Sequence, residues 1–278
     1  MRVLITGGSG FFGRHMAWRL LKHGHIVCIY SRDEAKHARM RVEIDSPNIR
    51  WFVGDVRDLP RLQRAMNGCH AVIHAAALKR IEVGAYCPDE MVKTNIAGSM
   101  NVIEASAAAG VESVVALSSD KAYQPVSPYG QTKALMESLF LTANHSYGAN
   151  GPRFTVTRYG NVAGSTGSVI PVWREQLKRS DTVTVTDPDC TRFWMRIDEA
   201  CTLVQTAMDG LLYDRPYIPE LPAFRLGDLA EAMGAKIKVT GLPSWEKRHE
   251  SMSDAACSAD ARRMDVAELR SQIEHLGL

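Results

Sequence analysis

The sequence "RVLITGGSGFFGRHMAWRLLKHG" (residues 2–24) joins a short apolar run to an amphipathic segment through a glycine-rich turn. The apolar run is typical of a buried β-strand, and the segment after the turn has apolar residues at helical spacing. Glycines permit a tight turn and close approach to a pyrophosphate, which the backbone N–H groups of a helix N-terminus bind. An ordinary strand-to-helix turn is the alternative. We predict a dinucleotide site at Gly7, Ser9, Gly10, Phe11, Phe12 and Gly13.

Five further β-rich runs follow this first unit and alternate with longer amphipathic stretches. They cover residues 25–30, 49–55, 70–76, 111–119 and 153–160. Parallel strands need crossover connections, so the alternation predicts an α/β, Rossmann-like doubly wound parallel sheet. After about residue 160 the sequence is richer in Gly, Ser, Pro and Thr. We therefore predict a dinucleotide-binding domain over residues 1–160, to which later segments return, and a smaller, mainly substrate-binding region over residues 161–278.

Composition excludes several classes of function. The 278 residues include 33 Lys plus Arg and 31 Asp plus Glu, a net charge of +2, so no charge excess indicates a nucleic-acid or membrane partner. The six cysteines show no metal-ligand spacing, and we predict no metal site. The sequence contains no signal peptide and no uninterrupted apolar run of about 18 residues. We expect a cytoplasmic protein.

The end of the second predicted strand decides the choice of dinucleotide. An acidic residue there would bind the ribose hydroxyls of NAD, but this chain has "YSRDE" (30–34). Ser31 and Arg32 lie at the strand end and Lys36 follows. We therefore predict NADP as the cofactor, with Arg32 paired to the 2′-phosphate, the alternative being a solvated arginine.

The ends of the third and fourth strands supply further candidates for the cofactor site. Asp55 either binds the adenine or caps a turn, and Val56, Ala75 and Ala76 are assigned to the same site. His74 is predicted to be a hydrogen-bonded core histidine and not a catalytic residue.

The stretch "SSDKAYQPVSPYGQTK" (118–133) carries the candidate chemistry. Tyr129 and Lys133 are four residues apart and lie on one face of a predicted helix. A phenol with a pKa of about 10 is a poor base at neutral pH, but a nearby ammonium group favours the phenolate. Beside a nicotinamide, such a pair oxidises a hydroxyl to a carbonyl. An amphipathic helix that carries Tyr and Lys without function is the alternative.

These motifs resemble the extended short-chain dehydrogenase/reductase superfamily. More closely, the chain resembles the inverting UDP-N-acetylglucosamine 4,6-dehydratases of bacterial polysaccharide biosynthesis. The resemblance lies in "HAAALK" (74–79), "KTNIAGSMNVIEA" (93–105), "SSDKA" (118–122), "RYGNVAGSTGSVIP" (158–171), "TRFW" (191–194) and "EKRHE" (246–250). It extends over residues 1 to about 250.

The resemblance implies a role for each residue of the catalytic stretch. Tyr129 would take the C4 hydroxyl proton during oxidation by NADP+, Lys133 would adjust the pKa of Tyr129 and hold the cofactor ribose, and Ser119 would bond the C4 oxygen. Lys121 would then remove the proton from C5, and Asp120 would protonate the departing 6-hydroxyl. Lys121 must be neutral to act as a base, and we expect a desolvated site beside Lys133 and the positive ring of the cofactor to favour the neutral amine. A solvated Asp120–Lys121 ion pair is the alternative.

The resemblance also implies a substrate, a UDP-linked hexose such as UDP-N-acetylglucosamine, and a homo-oligomer. Lys79, Asn161, Ser168 and Arg192 are the implied substrate contacts, and Asn95 would support the helix of Tyr129. Two arginines of the family are absent, because Thr166 and Pro243 occupy their positions. Arg192, Arg248 or Arg174 would then supply charge for the diphosphate. A sugar-nucleotide 4-epimerase and a non-catalytic NADP-binding protein remain alternatives.

Overall fold

A computed structural model describes residues 1–210 and 214–276, and a six-stranded parallel sheet forms its centre. The six predicted strands are confirmed, in the order β3-β2-β1-β4-β5-β6. Their bounds are β1 Arg2–Thr6, β2 Ile26–Ser31, β3 Ile49–Val53, β4 Ala71–His74, β5 Ser113–Leu117 and β6 Arg153–Thr157. The order reverses between β1 and β4, and in such sheets ligands bind beyond the carboxyl ends of the strands at this point.

Helices cover both faces of the sheet. Their bounds are α1 Phe11–Lys22, α2 Glu34–Glu43, α3 Leu59–Met66, α4 Ile81–Tyr86, α5 Pro88–Met91, α6 Gly98–Ala108, α7 Pro128–Tyr147, α8 Val169–Leu177, α9 Ile197–Met208, α10 Leu226–Ala232 and α11 Val266–His275. A π-helical turn at Val92–Ala97 joins α5 to α6, and single 3₁₀ turns span Asp120–Ala122 and Gly148–Asn150. Side chains alternate across a strand, so Val3 and Ile5 enter one core cluster and Leu4 enters the other.

The chain after residue 160 forms small sheets and returns to the main one. Its strands are β7 Asn161–Val162, β8 Thr182–Val185, β9 Thr191–Met195, β10 Ala223–Arg225, β11 Lys236–Val239, β12 Ser251–Ser253 and β13 Ala256–Cys257. Helix α9 shares a core cluster with β1, β2 and α1. Residues 211–213 and 277–278 of the predicted C-terminal region lie outside the described residues, and the division at residue 160 remains a prediction. No described helix is long and apolar enough to cross a membrane.

Candidate active site

The glycine turn after β1 lies closely against the end of β4. Gly7 has φ +66°, and a Cβ there would lie 2.9 Å from the Cα of Ala76. The backbone N–H groups of Ala75 and Ala76 donate to the main-chain and side-chain oxygens of Thr6. No side chain caps the N-terminus of α1 at Gly10, where Phe11 and Phe12 begin the helix. This arrangement fits a pyrophosphate, because backbone can approach it closely and helix N–H groups face it.

The ends of β2 and β3 bring the predicted ribose contacts together. The Ser31 hydroxyl bonds Ser9 (2.7 Å) and the Nε2 of His37 (2.5 Å). The Arg32 guanidinium lies 3.5 Å from Asp55 and its side chain is half exposed, whereas Lys36 pairs with Asp33 on α2. His37 is buried beside this group of residues and was not predicted.

Asp55 forms the turn that follows β3. Its carboxylate accepts hydrogen bonds from the backbone N–H of Arg57 (3.0 Å) and from the Arg57 guanidinium. The backbone oxygen of the adjacent Val56 accepts a bond from Asn101 (3.0 Å). Asp55 therefore has the role of a turn residue, and its contact with an adenine stays a prediction.

The catalytic stretch is held by a close contact between the 3₁₀ turn Asp120–Ala122 and the first turn of α7. A Cβ on Gly130 would lie 2.3 Å from the carbonyl oxygen of Lys121, so only glycine fits there. The Ser127 hydroxyl caps α7 by accepting from Gly130 N–H. The Ser119 hydroxyl in turn accepts from Lys121 N–H (3.2 Å) and donates to Asp120 Oδ1 (2.8 Å). The end of β5 and the start of α7 are thus packed without a gap.

Tyr129 and Lys133 are both buried on α7. Burial raises the pKa of Tyr129 to about 12, against the lowering effects of the Lys121 charge and a hydrogen bond with Ser119. Burial lowers the pKa of Lys133 to about 8, although Glu137 acts in the opposite direction. Lys133 Nζ donates to the carbonyl oxygen of Leu117 at 2.6 Å. In the protein alone, the ammonium that favours the phenolate is therefore Lys121, whereas the sequence predicted Lys133.

Lys121 lies between two buried carboxylates. Its Nζ is 3.2 Å from Asp120 Oδ1 and 3.3 Å from Glu250 Oε1. Burial lowers the pKa of Lys121, but the two carboxylates more than offset burial and leave the pKa raised. These charges favour the ammonium form of Lys121 in the protein alone. The neutral amine was expected for a site that also holds the positive ring of the cofactor, and it stays a prediction. The contact of Lys121 with Glu250 was not predicted.

The predicted supporting role of Asn95 and the structural role of His74 agree with the hydrogen bonding. The Asn95 amide bonds both backbone groups of Leu78 and donates to Thr132 Oγ1 (3.0 Å) on α7. His74 bonds Thr6 and Ser99 in the core, and burial lowers its pKa to about 3. His74 is therefore a neutral core residue.

Asn161 and Ser168 line one recess together with Trp194 and Phe224. Within residues 1–210 and 214–276, Asn161 Oδ1, Ser168 Oγ and Trp194 Nε1 are buried and have no hydrogen-bond partner. Buried polar groups without partners are rare in folded proteins, and a bound polar ligand is one explanation. The structure thus brings two of the four predicted substrate contacts together, and adds Trp194.

Two of the three arginines that the sequence predicted to supply charge for the diphosphate form ion pairs within the protein. The Arg192 guanidinium is buried, pairs with Glu246 at 2.5 Å and donates to two backbone oxygens. Arg248 pairs with Asp187 and Asp189, and Arg174 lies in the last turn of α8. Arg192 and Arg248 are thus engaged in ion pairs, whereas no ion pair of Arg174 is found among the described residues.

Arg80, which the sequence analysis missed, lies beside the loop that contains Thr166. A Cβ on Gly167 would be 3.7 Å from Nε and 3.8 Å from Nη2 of Arg80. Lys79 and Arg80 are both exposed, and no carboxylate in the described part of the chain pairs with either. The position of Arg80 next to "HAAALK" was visible in the sequence, but its contact with the loop 164–168 depends on tertiary folding.

Comparison with known proteins places this site in a family. The model of the family described as "polysaccharide biosynthesis protein" matches residues 3–268. The chain is 41% identical over 255 residues to the inverting UDP-N-acetylglucosamine 4,6-dehydratase of Campylobacter jejuni, covering 90% of this chain and 76% of that protein. It is 38% identical over 261 residues to a UDP-glucose 4-epimerase of Rickettsia bellii, with the same two coverages.

A solved structure is also very similar. The structure of Pen from Bacillus thuringiensis superposes with a TM-score of 0.93 at 33% identity, covering 99% of this chain and 97% of Pen. The family match covers nearly the whole chain, including both ends of the candidate site. The chain belongs to the polysaccharide biosynthesis protein family of extended short-chain dehydrogenases/reductases.

Proposed function

We propose that the protein is a sugar-nucleotide 4,6-dehydratase acting on UDP-N-acetylglucosamine with inversion at C5. The observation that carries the proposal is a contact between two pairs of residues. The oxidation pair, Tyr129 and Lys133, would act at C4, and the elimination pair, Asp120 and Lys121, would act at C5 and C6. Tyr129 and Lys133 lie on α7, and Asp120 and Lys121 lie on the 3₁₀ turn packed against the first residues of that helix. Oxidation at C4 makes the proton at C5 acidic, so both pairs are needed at one sugar.

Tyr129, Lys121 and Asp120 each carry out part of the proton transfer. Tyr129 removes the C4 hydroxyl proton while the Ser119 hydroxyl bonds the C4 oxygen. A proton moved from Lys121 Nζ to Asp120 over 3.2 Å yields a neutral amine and a protonated acid together. The amine then takes the C5 proton, and Asp120 gives its proton to the leaving 6-hydroxyl. Lys121 returns a proton to C5 on the opposite face.

The cofactor is proposed to be NADP. Bound NADP+ would supply the hydride acceptor for C4 and, once reduced, the hydride donor for C6. The support is the glycine cradle at Gly7 and Gly13 together with Arg32, whose guanidinium is half exposed at the end of β2. Lys133, Ser31 and Lys36 complete the proposed ribose contacts.

The cofactor preference depends on Arg32. Replacing Arg32 with Ala is expected to weaken NADP binding by about 10-fold or more and to leave NAD binding nearly unchanged, because only the 2′-phosphate loses a charged hydrogen bond. Titration of both cofactors by calorimetry measures the change. Lys22→Ala is the matched control, because it also removes one positive charge but lies on α1, away from the strand ends. An equal loss for the two cofactors would contradict the assignment of Arg32.

The diphosphate of the substrate is proposed to bind between the loop 164–168 and the cations at the end of β4. Arg80→Ala is expected to weaken UDP binding by about 10-fold or more, since a charged hydrogen bond is lost. Arg179→Ala, a surface arginine just beyond α8, is the control. Calorimetry with UDP gives the dissociation constants. Arg80 has no part in binding the diphosphate if its variant binds UDP as the control does.

A 4-epimerase is the second candidate, because a curated relative of this chain carries that name. Incubation with UDP-N-acetylglucosamine in D2O, followed by proton and carbon NMR, separates the two activities. A C6 methyl signal with deuterium at C5 establishes the dehydratase, and the C5 coupling gives its configuration. A C4 epimer with the 6-hydroxyl retained would establish the epimerase instead. Cytoplasmic location and a homo-oligomer also remain proposals, and light scattering measures the latter.

A further inference from the structure

Glu250 is a buried carboxylate that contacts the elimination pair and has no role assigned so far. It is 1% exposed and is the last residue of "EKRHE" (246–250), immediately before β12. Its Oε1 is 3.3 Å from Lys121 Nζ, and the chain neighbour Asp120 is 3.2 Å from the same nitrogen. A shallow recess lies beside this contact and is lined by Val126, Ser127, Trp245, Lys247 and the two paired side chains.

The backbone of Glu250 is fixed by a separate set of hydrogen bonds. Its N–H donates to the Ser258 hydroxyl (2.9 Å), and its carbonyl oxygen accepts from Ser258 N–H (2.8 Å). The same hydroxyl lies 2.6 Å from Thr191 Oγ1 on β9. Because Glu250 is anchored to the C-terminal sheet and Asp120 to the end of β5, the Lys121 ammonium is held from two independent parts of the fold.

Other charged groups surround this contact and affect the protonation of Lys121 and Glu250. The titratable and charged groups facing the Lys121–Glu250 pair are Asp120, Tyr129, Arg192, Glu246 and Lys247. Lys247 lies 3.0 Å from the second Glu250 oxygen, and burial of Glu250 is offset by the charges of Lys121, Arg192 and Lys247, which leave its pKa lowered. These charges favour the carboxylate form of Glu250, whereas Asp120 must carry a proton during elimination.

We propose that Glu250 is a positioning residue that holds the Lys121 amine beside Asp120 through their ion pair. The proposal rests on the dehydratase function. Asp120 alternates between carboxylate and acid during turnover, so it cannot orient Lys121 throughout the cycle. Glu250 supplies the constant contact. Once Lys121 has passed its proton to Asp120, the Glu250 charge makes it a stronger base toward C5.

The test measures the protonation of Lys121 directly and turnover separately. Competitive acetylation of the full-length protein, followed by mass spectrometry of the Lys121 peptide over a pH series, reports the free amine, whose side chain is 17% exposed. In Glu250→Gln, the pH of half-maximal labelling is expected to fall by about 1–3 units, because one adjacent opposite charge is lost. Glu250→Asp keeps the charge and should label close to wild type. Asp254→Asn also replaces a carboxylate with an amide, at a site close in sequence but away from Lys121. The pH of half-maximal labelling should not shift in this variant.

Turnover is expected to fall about 10–100-fold in Glu250→Gln, because the amine loses its orientation. Nicotinamide reduction in a single turnover should persist, since C4 oxidation does not use Glu250. Unchanged labelling, or a shift in labelling with wild-type elimination, overturns the proposal. The labelling shift could also appear although the wild-type protein dehydrates no sugar nucleotide. That result would contradict the proposed function but would still support the Lys121–Glu250 ion pair.

Discussion

Tyr129→Phe is expected to lower turnover by about 10²–10⁴-fold, the usual contribution of a positioned acid or base. The change removes one oxygen from a buried side chain and leaves the ring in place, so the fold and cofactor binding should survive. Without the phenol, no group takes the C4 hydroxyl proton. The absorbance of reduced nicotinamide should therefore not appear when a sugar nucleotide is mixed with the variant in a stopped-flow instrument.

The pH dependence of this step follows from the electrostatics of Tyr129. Burial raises the pKa of Tyr129 to about 12, so the phenolate fraction grows as the pH rises from neutral toward that value. The rate of nicotinamide reduction should increase over the same range in the wild-type protein. Tyr147→Phe, at the other end of α7, is the control and should behave as wild type. A Tyr129→Phe variant that still reduces the nicotinamide at the normal rate would exclude Tyr129 as the base.

Lys121→Arg is expected to stop elimination while C4 oxidation continues. Arginine retains the positive charge between Asp120 and Glu250, so no buried carboxylate is left unpaired, but a guanidinium does not lose its proton in proteins. Formation of the C6 methyl group should fall by about 10²–10⁴-fold. Quenched single-turnover samples should contain reduced nicotinamide and no deuterium at C5.

A second variant separates the loss of the base from the steric effect of arginine. Lys121→Met has a similar aliphatic length and no charge, and it should give the same block at C5. It removes the ammonium group that Asp120 and Glu250 share, so its thermal unfolding must be compared with that of wild type. Lys93→Arg, an exposed lysine in the π-helical turn, serves as the matched control. Deuterium incorporation at C5 at the normal rate in both Lys121 variants would exclude Lys121 as the base.

Most of the sheet could be predicted from the sequence, because a strand or a helix is indicated by residues close to one another in the chain. All six strands and the helix of Tyr129 and Lys133 occur where apolar runs and turn residues placed them, with ends shifted by a few residues. The run 111–119 ends as a strand at Leu117, for example, because Ser119 caps the 3₁₀ turn that follows. Ser119, Asp120 and Tyr129 could be grouped from sequence since they lie at one strand end and the next helix start.

The electrostatic state of the site could not be predicted in the same way. The protonation of Lys121 depends on Glu250, which approaches through the strand β12 from a distant part of the chain. The availability of Arg192 depends on Glu246, and the relevance of Arg80 depends on the loop around Gly167. No periodicity or spacing in the sequence encodes these contacts. The cofactor preference and the sugar remain predictions that the binding and NMR experiments address.

The contact between Gly130 and the carbonyl oxygen of Lys121 has a consequence for the course of the reaction. The backbone of the turn that carries Lys121 and the first turn of α7, which carries Tyr129, lie directly against each other, so the two proposed bases project from adjacent backbone. One sugar bound at this point can therefore meet the base for C4 oxidation and the base for proton removal at C5. The ketone need not be released or repositioned between the two steps, which limits the time in which a reactive intermediate can escape.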